Sequence, residues 1–252
     1  TEVYIQSGFR TPIGLYQGQY KDILPEILAQ WVLDDLHDVW GQTPDCVFVG
    51  NAVGPGGNLG RLALLYSSLP DSVPAVTMDM QCASGMIAIE TAYAHIKAGI
   101  VSSAFAGGVD SSSMQPVRTY VKQDPRSQLN LGEDLPGQFK VAQFSPGLQD
   151  CQVMLWGAER TAQKYGMRRD ELDAYALESH RKALHARKER ILEPYLSHGH
   201  AYVDQSLRPH MSERLLARMP CLLGTHTVTT AGNACLTHDG AAFLALSTEK
   251  SD

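Results

Sequence analysis

The fold follows from Val73-Pro74-Ala75-Val76-Thr77-Met78-Asp79-Met80-Gln81-Cys82-Ala83-Ser84-Gly85. Pro74 to Met80 reads as a short strand between breakers. After Cys82-Ala83-Ser84-Gly85, the residues Met86, Ile89, Tyr93 and Ile96 recur at three- and four-residue steps. That spacing puts them on one face of a helix running to Ala98, with Gly99 as its stop. The stretch is therefore a strand, a sharp turn and a helix, with a thiol at the turn. A thiol attacks carbonyl carbon as its thiolate, and the amides of a helix N-terminus favour negative charge beside them and can also hold an oxyanion. Small side chains at Ala83, Ser84 and Gly85 leave room for a substrate. Spacing alone leaves two readings of Cys82 open, a nucleophile and a buried structural cysteine, since free cysteine is among the most buried residue types.

Working outward, the same alternation repeats. Val3-Tyr4-Ile5 reads as a strand broken by Arg10-Thr11-Pro12-Ile13-Gly14. Leu28, Trp31, Val32, Leu36 and Val39 mark an amphipathic helix over Leu24–Trp40. Cys46-Val47-Phe48-Val49 reads as a buried strand, followed by the turn Gly54-Pro55-Gly56-Gly57 and a helix over Leu59–Leu69 that Pro70 ends. Ser102–Gly108 is another strand. Strands alternating with helices predict an α/β layer with a mostly parallel sheet. Beyond it the pattern lapses: Gln123–Asp150 reads as a long loop, and helices follow over Gln152–Tyr165, Arg169–Arg190 and Ser212–Met219. β character returns at Thr225–Thr230 and Ala241–Ser247. These spans predict an α/β domain made of residues 1–117 and 225–252, interrupted by a mainly helical insertion over 118–224.

The 252 residues are 44% hydrophobic, enough for a sizeable core, and carry a net charge of −6. A basic footprint is absent, which argues against a nucleic-acid partner. Residues 156–224 hold twelve Lys/Arg against nine Asp/Glu, while the remainder holds nine against eighteen. This mildly basic segment suits a phosphorylated ligand, and equally a solvated helix face formed by Arg181, Lys182, Arg187, Lys188 and Arg190. Five cysteines stand apart with no CxxC or Cys/His spacing, so neither a metal site nor a disulfide framework is expected. With no span of eighteen apolar residues and no signal-like start, neither a membrane association nor secretion is expected, and the cytoplasm is the expected location.

The segment from Val73 to Gly85 resembles the nucleophile segment of thiolases, and other pieces follow in the same order. Arg10-Thr11-Pro12-Ile13-Gly14, Gly50-Asn51 and Ala106-Gly107-Gly108-Val109-Asp110-Ser111 are similar to successive motifs of that family's first half. Gly157-Ala158-Glu159, Tyr165-Gly166, Arg169-Asp170-Glu171, Ser179-His180 and the stretch Asp204–Met219 resemble its loop domain. Thr227-Val228-Thr229-Thr230-Ala231-Gly232-Asn233-Ala234 and Asp239-Gly240-Ala241-Ala242 resemble its return to the sheet. The resemblance covers nearly the whole chain.

It implies the N-terminal half of a thiolase: a mixed, mostly parallel five-stranded sheet with helices on both faces, plus the inserted loop domain. It also implies an acyl-CoA C-acyltransferase that works by covalent, ping-pong catalysis. Cys82 is then the nucleophile, in thiolysis of a 3-oxoacyl-CoA or in Claisen condensation of acyl-CoA. Met154, Arg208, Ala231 and Cys235 stand where CoA contacts are expected. The implied substrates are CoA and acyl-CoA, with no tightly bound cofactor and no metal. Three positions depart from the family: Cys235 replaces its usual serine, Leu236 a glycine, and Val153 the histidine that commonly precedes the methionine at 154. The Asn-Glu-Ala-Phe, Gly-His-Pro and second Cys-x-Gly segments that supply the family's base and acid do not occur in these residues. None of His95, His180, His185, His198, His200, His210, His226 and His238 pairs with Cys82 on spacing. Association is expected, as a homo-oligomer or with a complementary C-terminal thiolase chain. Two alternatives stand beside this reading, a catalytically incomplete CoA-binding or partner-binding fragment and a condensing enzyme acting on carrier proteins.

Overall fold

A computed structural model describes residues 2–147, 150–197 and 201–250. In chain order its first elements are β1 (Tyr4–Arg10), β2 (Gly14–Leu15), α1 (Pro25–Trp40), β3 (Cys46–Gly50), α2 (Leu59–Tyr66), β4 (Ala75–Met78), α3 (Ser84–Lys97) and β5 (Ser103–Ser111). They are followed by β6 (Arg118–Thr119), β7 (Gln138–Phe139), α4 (Val153–Lys164), α5 (Arg169–Lys188), α6 (Glu213–Ala217) and β8 (His238–Ser247).

The main sheet has the order β1-β8-β5-β3-β4. β3 pairs in parallel with β4 and β5, whereas β8 lies antiparallel between β5 and β1. Four of these five strands thus run one way and β8 runs against them. β2 continues the lane of β1 along β8, pairing Gly14 with Asp239. The sheet is mixed and mostly parallel, as expected, and β1 and β5 are longer than the apolar runs that announced them.

Alternation along the strands divides the core into two layers. Val47 and Val49 of β3, Phe105 of β5 and Phe243 of β8 pack with Leu28, Val32, Leu36, Ala63 and Leu64 of α1 and α2. Cys46, Phe48, Ala104, Ala106 and Leu246 face the other way, onto Ala88, Ala92 and Ile96 of α3. β3 is buried on both faces, which is why its sequence is an unbroken apolar run rather than an alternating one. α1 opens with Pro25 in its first turn, where a missing N–H is harmless, and closes on Gly41 at φ 73°.

The chain forms two compact units, one of residues 1–115, 192–206 and 237–252 and the other of 116–191 and 207–236. The sequence reading carried 192–206 with the insertion, but this segment returns to the sheet unit. Arg10 forks onto both carboxylate oxygens of Asp204 at 2.8 and 2.9 Å. The Gln205 side chain accepts from the amides of Leu15 and Gln19, and Tyr202 stacks on Trp31. These ties come from single polar residues and one aromatic, so no periodic signal announces them.

The second unit holds α4, α5 and α6, with a small ribbon in which β7, inside the predicted long loop, pairs with β6 just before it. One expected strand is absent: Thr225–Thr230 makes only an isolated bridge from Thr230 to Cys221. Its β-favouring Thr-Val-Thr-Thr text is overridden by side chains that take the backbone donors. The Glu159 carboxylate accepts from the amides of Val228 and Thr229 at 3.0 and 3.2 Å, and Asn233 accepts from Thr230 N–H. A segment whose amides are satisfied this way has no ladder left to form.

Candidate active site

Cys82 sits just beyond the C-terminal end of β4, two residues before α3, and its side chain is exposed. The connection is tight because Gln81 takes a left-handed backbone at φ 54°, a conformation that costs a non-glycine residue about 1 kcal/mol. Ser84 holds that turn from inside. Its buried hydroxyl accepts from Met80 N–H at 2.8 Å and donates to Gln81 C=O at 2.6 Å. Asp79 accepts from Gln81 N–H at 2.8 Å on the other side. Ala83 N–H and Ser84 N–H close back on Met80 C=O and Gln81 C=O. The thiol is thereby presented at the N-terminal end of a helix whose first-turn amides, Gly85 and Met86, have no helical carbonyl four residues behind them.

The neighbouring strand end is part of the same construction. Gly50 closes β3, and a Cβ there would lie 2.4 Å from the Ser84 carbonyl carbon and 2.6 Å from Gly85 N. Only glycine lets the first turn of α3 rest this closely on the sheet. The segment after Gly50 is held by Asp110 of β5, whose carboxylate accepts from Asn51 Nδ2, Ala52 N–H and Val53 N–H at 2.8, 3.1 and 3.0 Å. Burial pushes the Asp110 carboxyl above the usual carboxylate range, with those two amides opposing the shift and Asp79 adding to it.

In the second unit Arg208 and Ala231 come together directly, the guanidinium donating to Ala231 C=O at 3.0 Å. Arg208 N–H donates to His180 Nδ1 at 3.3 Å, and desolvation followed by the Arg208 charge lowers the pKa of that imidazole. Around them is an open hollow of about 500 Å³, lined by Arg181, Arg214, Leu184 and Met211 among others. Arg181, Arg208 and Arg214 stand there with the single carboxylate Glu213, among Leu177, Leu184, Pro209 and Met211. Met154 lies on α4 with an exposed side chain, and the exposed Cys235 thiol donates to Leu236 C=O at 3.2 Å. Among the described residues no hydrogen bond joins either of them to Arg208.

Sequence reading named the thiol and missed what holds it. Ser84 read as a small residue, and the Asn51–Asp110 link joins side chains far apart in the chain. Glu159, Arg169, Asp173 and Asn233 were likewise unassigned, yet they frame the second unit. Arg169 pairs with Asp173 at 2.8 Å and donates to the carbonyls of Leu216 and Met219, while Asn233 donates to Asp173. Among the described residues no histidine is hydrogen-bonded to Cys82, and His198 and His200 lie outside the described residues.

The pattern described as the thiolase N-terminal domain matches residues 3–250. A putative acetyl-CoA C-acetyltransferase, VraB, of Staphylococcus aureus (strain MRSA252) is 34% identical over 252 residues, covering 96% of this chain and 64% of the relative. Its counterpart in Staphylococcus haemolyticus is 35% identical over 249 residues, covering 96% of this chain and 63% of the relative. The chain thus spans a little under two thirds of the curated relatives it matches. Among solved structures, the Bacillus anthracis acetyl-CoA acetyltransferase superposes with a TM-score of 0.85 at 28% identity, covering 98% of this chain and 65% of that one. Human mitochondrial 3-ketoacyl-CoA thiolase in complex with CoA gives 0.84 at 25% identity, with the same coverage of 98% and 65%. Fold, ordered motifs and these likenesses agree, and the chain belongs to the thiolase family, whose N-terminal domain it matches along nearly its whole length.

Proposed function

We propose that this chain carries the nucleophilic part of an acyl-CoA C-acyltransferase, with Cys82 as the residue that takes up the acyl group. In thiolysis the Cys82 sulfur attacks the keto carbon of a 3-oxoacyl-CoA. The bond between the keto carbon and the α carbon breaks, acetyl-CoA leaves after its α carbon takes a proton, and the acyl group stays on sulfur. CoA then attacks that thioester, carries the acyl group away and restores the thiol. In condensation the same steps run in reverse, with the acyl-cysteine attacked by the α carbon of acetyl-CoA. The first-turn amides of α3 are the donors for the oxyanion that each attack creates.

The observation that carries this reading is the placement of an exposed thiol on a strained turn at a helix N-terminus, locked by Ser84 from within. Arg208, with Arg181 and Arg214 in the hollow beside it, suits the phosphates or the adenine of CoA, since a guanidinium pairs with phosphate and stacks on a flat ring. Met154, Ala231 and Cys235 are proposed to meet the pantetheine. Cys235, where the family usually has serine, contributes a weaker donor there. The proton transfers require a base and an acid, which the family resemblance assigns to a second α/β half. We assign them to such a segment, on this or a complementary chain, in a cytoplasmic and oligomeric enzyme. Among the described residues no helix is long and apolar enough to cross a membrane.

The test is the intact mass of the chain after incubation with acetyl-CoA or acetoacetyl-CoA, beside Cys82→Ala. An acetyl adduct on the unsubstituted chain that is missing from the variant supports the reading. A folded chain that gains no adduct, even after a C-terminal thiolase chain is added, contradicts it.

A further inference from the structure

We propose that Asp110 is a positioning residue for the Cys82 turn, acting through the Gly50–Val53 segment on which the first turn of α3 rests. This rests on Cys82 being the nucleophile. The route is short and continuous. The Asp110 carboxylate gathers the Asn51 amide group and the backbone N–H groups of Ala52 and Val53, so it fixes the chain just after β3. Asn51 strengthens the tie by donating to Val109 C=O at 2.7 Å. Gly50, next to this clasp, packs against Ser84 and Gly85 with no room for a methyl group. Ser84 in turn holds Met80 and Gln81, the two residues that aim Cys82.

Apart from the Asn51–Asp110 side-chain bond, each link is a backbone contact or a hydrogen bond to backbone, so a shift at Ala52 has little slack in which to dissipate. Burial is the largest influence on the Asp110 carboxyl and disfavours its charged form, outweighing the two amides that favour it. The carboxylate accepts its hydrogen bonds from one segment, the one under the α3 terminus. Asp79, whose own carboxylate holds Gln81 N–H, is close enough for its charge to act on Asp110.

The experiment uses the full chain and needs no acyl-CoA. Iodoacetamide alkylation is followed peptide by peptide in wild type, Asp110→Ala and Asp110→Asn. The exposed Cys151 and Cys235, both in the other compact unit, serve as internal references. In Asp110→Ala the rate at Cys82 is expected to fall about five-fold relative to the two references, as the turn shifts the thiol off the α3 N-terminus. Asp110→Asn keeps a carbonyl oxygen within reach of the Ala52 and Val53 amides, and is expected to stay within about two-fold of wild type. If Asp110→Ala does not fold, Asn51→Ala carries the test in milder form, with a fall of about two-fold expected from loss of the side-chain part of the clasp.

An unchanged Cys82 rate in folded Asp110→Ala, or a parallel change at all three cysteines, overturns the proposal. So does a fall in Asp110→Asn as large as in Asp110→Ala. Loss of acylation by acetyl-CoA with the alkylation pattern intact sinks only the acyltransferase reading. Acylation at Cys82 with alkylation indifferent to Asp110 sinks only this one.

Discussion

The two compact units solve the same problem, holding a few functional atoms still, by different means. The sheet unit packs a two-layer apolar core and sets Cys82 where a strand, a turn and a helix meet. The second unit buries little apolar surface: among the described residues, its buried hydrophobic side chains are Leu131, Ala162 and Leu216. It is held instead by buried charged and polar groups, with Glu159 and Asp173 at its centre. Apolar packing sets the strands and helices of the first unit, and polar bonds such as those of Asp110 and Ser84 then fix the turn at its strand ends. In the second unit Glu159 takes the backbone donors of Val228 and Thr229, and Asp173 the side chains of Arg169 and Asn233, so precision is concentrated in few residues.

That contrast is sharpest in what single substitutions remove. Phe105→Ala empties a fully buried site between β5 and the α1 layer, and is expected to cost about 4 kcal/mol, as large aromatic truncations do. Hydrogen exchange is expected to rise across β3, β5 and β8 and to stay unchanged in α4 and α5. Glu159→Ala strands the amides of Val228 and Thr229 and the Thr229 hydroxyl, for an expected loss of about 3 kcal/mol. Its exchange signature is the converse, with protection lost in α4 and around residues 227–234. If both variants loosen both units together, the contrast between them fails.

Smaller effects refine the picture at each site. Arg208→Ala removes the cation bonded to Ala231 C=O, and CoA affinity measured by calorimetry is expected to drop about ten-fold. Acylation of Cys82 at saturating acyl-CoA is expected to persist. Unchanged affinity would detach the hollow from CoA. Gln81→Gly relieves the left-handed strain at φ 54° and is expected to raise stability by up to about 0.5 kcal/mol in chemical denaturation, the gain being partly offset by glycine's larger unfolded-state entropy. A clear loss of stability would show that the Gln81 side chain, and not the turn geometry, secures the site.

The same contrast explains what could be read from the sequence. The sheet unit was legible because α/β packing leaves periodic marks. Leu28, Val32 and Leu36 repeat at helical steps, Cys46–Val49 is an apolar run, and Cys82 falls between a strand and a helix text. The second unit was legible as helices but not as a scaffold. Thr225–Thr230 carries strand-like text, and nothing local reveals that a carboxylate some seventy residues earlier takes its amides. The return of 192–206 to the sheet unit depends on Arg10, Asp204 and Gln205, three polar residues with no pattern between them. At the turn after β4, Cys82 was readable by its family text as the candidate nucleophile. Ser84, Gly50 and Asp110 acquire their roles only when the strand ends are brought side by side.

The central claim is that the turn after β4 singles out one thiol among several exposed ones. Peptide mapping after brief incubation with acetoacetyl-CoA, with the complementary thiolase half supplied where required, tests it most directly. Cys82, Cys151 and Cys235 are all open to solvent, so exposure alone does not choose among them. The account predicts acetylation at Cys82 with Cys151 and Cys235 unmodified. Acetyl groups spread over the three thiols in similar amounts, or placed on Cys235 instead, would contradict it.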